Sequence, residues 1–142
     1  MRKKKFVCLT ILMTIMLSAH AGEEEKTEFT VEDWEPIMEA IIQVESNGKH
    51  NAKNGNQIGA MQITPILVAD CNRILEQRKS KKRFKLSDRF SVEKSKEMFL
   101  IIQSRYNPDN DIEKGIRLWN GGCNYSVKGT QRYYRKVMQA MK

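Results

Sequence analysis

Two histidines and three cysteines in 142 residues are too few and too scattered to build a protein-held metal cluster, so no metal site is expected. The same scarcity of cysteine excludes a densely disulfide-stapled scaffold. The one extended apolar stretch, Phe6 to Leu17, runs for 12 residues, short of the roughly 20 that a spanning helix needs, and no stable membrane anchor is expected. No glycine-rich phosphate loop, internal repeat or long alternating run is present, so nothing points to nucleotide chemistry, to a cofactor or to an all-β fold. Of the three prolines, Pro36 and Pro65 fall where helices are expected to begin and Pro108 falls in a turn.

What is present begins with an export signal. Arg2, Lys3, Lys4 and Lys5 precede the apolar run, and Ala19-His20-Ala21 supplies a small-x-small cleavage pattern. Residues 1–21 therefore read as a signal peptide, placing the mature chain in a periplasm or outside the cell. Cys8 stands too early in the apolar run to be a lipid-carrying residue. The segment holds four basic and no acidic side chains, so its removal lowers the formal charge from +8 to +4. Residues 22–28, with three consecutive glutamates, read as a disordered lead-in. Residues 29–142 are enough for one domain with one core.

Within that domain the apolar spacing is helical. Trp34, Ile37, Met38, Ile41 and Ile42 make one face of a first helix ending near Ser46 to Gly48. Thr64-Pro65 opens a second, with Leu67, Val68, Cys71, Ile74 and Leu75 as its stripe. Ser91 caps a third carrying Val92, Met98, Phe99 and Ile102. A fourth, with Ile112, Ile116 and Trp119, stops at Asn120-Gly121-Gly122, and a last helix is expected to open at Thr130. Asn51 to Gln57 can hold a short hairpin. The fold class is mostly α. Arg78 to Lys85, six basic residues in eight, has no apolar stripe and reads as a solvated loop. Attraction to an anionic partner outside the cell is its second reading, and export argues against nucleic acid.

Cys71 and Cys123 leave two alternatives open. Paired, they would close a loop of about fifty residues, a constraint of ~4 kcal/mol in the chain-entropy view. Unpaired, Cys71 is a small buried hydrophobe and Cys123 a loop thiol.

Glu45 departs from a bland reading. Extending the Ile37, Ile41, Ile42 stripe by one turn lands on it, so its carboxylate faces the core side at a helix C-terminus, and both features disfavour the charged form. A carboxyl group still protonated near neutral pH is what glycosidic cleavage needs, because the leaving oxygen must receive a proton. The bland alternative is a solvated helix-end glutamate.

Four strings in order, Val44-Glu45-Ser46, Gly59-Ala60-Met61-Gln62-Ile63-Thr64-Pro65, Trp119-Asn120-Gly121-Gly122 and Thr130-x-x-Tyr133-x-x-x-Val137, resemble the soluble lytic transglycosylase family of the lysozyme-like superfamily. The resemblance covers almost all of the mature chain. It implies a small monomeric α+β lysozyme-like domain around a glycan-binding groove, acting on peptidoglycan strands without a cofactor. It also implies that Glu45 protonates the glycosidic oxygen of the bond between N-acetylmuramic acid and N-acetylglucosamine. Glu45 then assists the muramic C6 hydroxyl in attacking C1, giving a 1,6-anhydro end. Ser46, Gln62, Trp119, Asn120 and Tyr133 match substrate-contacting positions, while Gly59, Ala60, Met61 and Gly121 match the close-packed turns that support them. Trp119 stands where the family has a tyrosine; Tyr133 matches the family's late tyrosine, and either it supplies the missing hydroxyl or it only packs the last helix. The interval from Glu45 to Gln62 is one residue short, and Asn54 stands roughly where a groove serine is common.

Two other outcomes stay open: lysozyme-type hydrolysis, with Asp88, Asp109 or Asp111 as the second carboxylate, and a wall-binding protein without catalysis. Wall turnover, passage of a secretion or conjugation apparatus, and attack on competitors are all compatible settings.

Overall fold

The computed structural model describes residues 29–142. The expected signal peptide, Cys8 and the lead-in lie outside the described residues. Among those described, no helix is long and apolar enough to cross a membrane.

Five helices and one two-residue hairpin make up the domain. Helix α1, Val31–Ser46, starts at a capping box in which the Thr30 N–H donates to Asp33 Oδ2 at 2.6 Å. It ends because Asn47 turns left-handed (φ 52°) and its N–H donates to the Gln43 carbonyl at 3.0 Å. Pro36 lies a turn deeper than expected, since the helix begins at Val31. It is tolerated because Pro36 and Glu32, whose carbonyl it cannot serve, are both on the exposed side.

The hairpin pairs β1 (Lys53–Asn54) with β2 (Gln57–Ile58), Lys53 opposite Ile58 and Asn54 opposite Gln57, with Gly55 at φ 61° in the connection. Helix α2, Pro65–Gln77, is capped by Thr64, whose hydroxyl accepts from the Leu67 N–H at 3.3 Å. Arg78 to Lys85 is non-helical and mainly exposed, as expected, but it is tied down. Phe84 is buried, and its backbone exchanges two hydrogen bonds with the Asn72 amide, at 2.8 and 2.9 Å. A 3-10 turn at Leu86–Phe90, without a signal in the apolar spacing, leads into α3, Val92–Tyr106, capped by Ser91.

Helix α4, Ile112–Gly121, is capped by Asp111; Ile116 is fully buried, but Ile112 is exposed rather than part of the apolar face. Helix α5, Val127–Ala140, begins three residues before Thr130. Its cap is Ser126, whose hydroxyl accepts from the Gly129 N–H at 3.0 Å. Thr130 lies buried inside the first turns instead.

Helix α1 packs against α3, α4 and α5, and α2 packs against α3. Trp34, Phe99 and Trp119 form an aromatic ladder through the centre, with ring centroids 5.4 and 5.1 Å apart. Because Phe99 has no exposed surface, truncating it to alanine would cost about 3–5 kcal/mol. The ladder fixes α4 against α1, which sets where the end of each helix opens.

Candidate active site

The C-terminal turn of α1 carries Val44 and Glu45 into a pocket of about 1020 Å³. Its walls come from the hairpin and the start of α2, the ends of α3 and α4, and one face of α5. Glu45 therefore lies where extension of the α1 stripe puts it. Burial pushes its carboxyl above the ordinary value of 4.5, while a hydrogen bond from Tyr133 pulls the other way without cancelling the effect. The Tyr133 hydroxyl donates to Glu45 Oε1 at 2.8 Å. Burial first, and then the neighbouring carboxylate, push the phenol well above its usual range, so Tyr133 remains a donor.

Tyr133 is held by α5, and α5 is held by Arg117. This guanidinium is 2% exposed; its Nη1 donates to the Val127 carbonyl and the Thr130 hydroxyl at 3.0 Å each, and its Nη2 to Gln131 at 2.7 Å. It also lies over the Tyr134 ring at 4.6 Å and pairs with Glu113. Gly121 is required beside it, since a Cβ there would meet Tyr125 Cβ at 2.6 Å and Thr130 Cγ2 at 2.8 Å.

The loop after β2 forms the floor. Ile58 and Ile63 bond reciprocally at 3.1 and 2.9 Å, pinching Gly59 to Gln62 into a turn with Ala60 and Met61 buried. Gly59 (φ 83°) cannot carry a side chain, because a Cβ would lie 1.8 Å from the Arg89 carbonyl oxygen. Gln62 itself is left-handed (φ 53°), and its amide donates to the Gly59 carbonyl at 2.9 Å. Gln62 lines the pocket, but its amide nitrogen holds the turn, donating also to the Ala52 carbonyl at 3.5 Å, and only the amide oxygen is left for a ligand.

Of the expected contact residues, Gln62, Trp119, Asn120 and Tyr133 share the pocket with Glu45. Ser46 does not line it: the Ser46 hydroxyl donates to the Ile42 carbonyl at 3.1 Å and finishes the helix. The disulfide is not formed. Cys71 is buried, its thiol directed at the Met98 carbonyl (3.6 Å) and pushed up to about 12 by burial, whereas Cys123 is exposed at the pocket edge. Asp88, Asp109 and Asp111 also lie outside the pocket lining. Asp88 bonds Lys94 Nζ at 2.8 Å and the Lys85 N–H at 2.8 Å, which hold its carboxyl below the usual range, and Asp111 caps α4.

Sequence reasoning missed the pocket's other carboxylate, Asp70. It accepts from Arg73 Nε at 3.1 Å and from the Tyr106 hydroxyl at 2.8 Å, while Arg73 Nη2 bonds both Asp70 and Tyr106. The i,i+3 spacing of Asp70 and Arg73 was visible, but not the arrival of Tyr106 from the end of α3. The chain matches no family model, curated protein or solved structure.

Proposed function

We propose that this protein cleaves the glycan strands of peptidoglycan as a lytic transglycosylase, with Glu45 as its acid and then its base. One observation carries the reading: a carboxyl biased toward its protonated form opens into a pocket large enough for sugar rings, with a tyrosine hydroxyl on it. Positions drawn from all four family-like strings line that pocket. Trp119 offers an indole face for a sugar ring, Asn120 an amide and Gln62 an amide oxygen.

In the proposed reaction protonated Glu45 gives its proton to the glycosidic oxygen as the bond from muramic C1 breaks. The Glu45 carboxylate so formed takes the proton of the C6 hydroxyl as O6 closes on C1. No water is consumed, and the acid is regenerated. Since the nucleophile is the substrate's own hydroxyl, one free carboxylate suffices. The state of Asp70 agrees with this, because Arg73 and Tyr106 occupy both of its oxygens.

Hydrolysis of the lysozyme type is the second reading, favoured by the presence of Asp70 in the same pocket, where it would have to place or activate water. A mass spectrum of the products released from purified sacculi separates the two. The transglycosylase reading requires 1,6-anhydro ends; reducing ends would replace it with hydrolysis, and no release would leave a wall-binding protein.

A further inference from the structure

None of residues 78–90 lines the pocket, yet they carry the protein's strongest charge. The segment from Arg78 to Phe90 holds seven basic side chains and one acidic, a formal +6. The chain without residues 1–21 carries +4, so everything else in it sums to −2. Within the segment Lys82 pairs with Glu97, and the one acid, Asp88, is paired with Lys94. Arg78, Lys79, Lys81, Arg83 and Lys85 are exposed and have no ion-pair partner among the described residues. Arg78 bonds the Ser104 hydroxyl, and Arg83 bonds the Ser80 and Lys82 carbonyls, neutral acceptors that leave the charge uncompensated.

The same segment ends on two apolar side chains turned to solvent, Leu86 at 51% exposure and Phe90 at 37%. Lys53 of the hairpin lies over the Phe90 ring at 5.6 Å and adds a cation beside it. The segment is held in place: Phe84 is buried and bonded to the Asn72 amide, and Arg89 donates to the Asn56 and Ile63 carbonyls at 3.0 and 3.2 Å. Exposed cations beside exposed apolar side chains suit a surface that is anionic outside and apolar just beneath, which is an anionic phospholipid bilayer. A soluble acidic partner would answer the lysines but would give Leu86 and Phe90 no apolar layer to enter.

We propose that residues 78–90 form a reversible docking surface for an anionic phospholipid membrane, with Lys79, Lys81 and Lys85 among the head groups and Leu86 and Phe90 in the interfacial layer. Contact of this kind needs neither a spanning helix nor an attached lipid. Each lysine near such a surface strengthens partitioning about fivefold, and the attraction fades within a Debye length. Glu45 takes no part in it, so the docking surface and the glycan-cleaving reading stand or fall separately.

The test is co-sedimentation of the chain without residues 1–21, which holds the whole described domain, with two kinds of vesicle. One kind is phosphatidylcholine alone; the other is phosphatidylcholine and phosphatidylglycerol in equal parts. Wild type should partition onto the anionic vesicles at least about a hundredfold more strongly, and molar salt should abolish the difference. The Lys79→Gln/Lys81→Gln/Lys85→Gln variant should partition onto anionic vesicles about a hundredfold less than wild type, three charges at about fivefold each. Leu86→Ser keeps the charge and should still lose about fivefold, because its half-exposed leucine no longer enters the apolar layer. All four side chains are exposed, and circular dichroism verifies that each variant keeps the fold. Equal wild-type partitioning onto the two kinds of vesicle, or a triple variant that partitions like wild type, overturns the proposal. Wild-type partitioning by Leu86→Ser overturns the bilayer contact too, since charge alone would then act and a soluble polyanion would serve as well.

Discussion

The Tyr133 hydroxyl donates to Glu45 Oε1 at 2.8 Å, joining the middle of the last helix to the end of the first across 88 positions of sequence. This bond favours the carboxylate, whereas the burial around it favours the acid, and burial prevails. Glu45 is thus held above its ordinary value by the difference between two opposed effects, each of which can be removed separately.

Replacing Tyr133 with phenylalanine deletes the effect that lowers the Glu45 value. The acid should stay protonated to higher pH, so the basic limb of the activity profile should move upward relative to wild type, whatever the change in maximal rate. Muropeptide release measured across pH 4.5–9 checks this; a limb that stays in place would remove Tyr133 from the acid's environment in solution.

The raised value also enters stability. The unfolded chain has Glu45 near 4.5, so the favourable contribution of its protonated form is fully present below that pH and is lost as pH rises through the higher folded value. Glu45→Gln has nothing to titrate. Melts of both proteins should nearly coincide at pH 4.5, and the variant should melt higher at pH 8. An equal difference at both pH values would mean that Glu45 titrates as a solvated group.

Gly59→Ala tests the floor of the pocket. A Cβ at φ 83° would press within 1.8 Å of the Arg89 carbonyl, and the combined strain and displacement should cost about 3 kcal/mol or more. Gly48→Ala has a similar φ (80°) but no atom within 4 Å, so it should cost only about 1 kcal/mol. Urea unfolding of the two variants should separate them; equal losses would mean that the 3-10 turn does not sit against Gly59.

The five helices were legible because their apolar residues recur at helical spacing and their starts are written in caps such as Thr64-Pro65 and Ser91. The start of α5 was misplaced because its true opening, Ser126 to Gly129, has a single apolar residue, Val127, and that one is exposed. Glu45 could be phased from its own helix. Asp70, Arg73 and Tyr106 could not, since polar residues on an outer helix face read as solvated until another element meets them.

The cysteines give a direct check on burial. In native protein lacking residues 1–21, Cys123 should react with a thiol reagent within the first phase, while Cys71, protonated to about pH 12 and enclosed, should react only on unfolding. Two thiols should titrate in the unreduced, denatured protein. A count of zero there would mean that the two are bridged.

The central claim is that Glu45 moves the proton that breaks the glycan. Purified wild type and Glu45→Gln, incubated side by side with sacculi, should differ by at least about a hundredfold in soluble muropeptides released, because the amide keeps the shape of the side chain and cannot donate the proton. Matching circular dichroism would verify the fold of the variant. Release by Glu45→Gln at a rate near wild type would contradict the account.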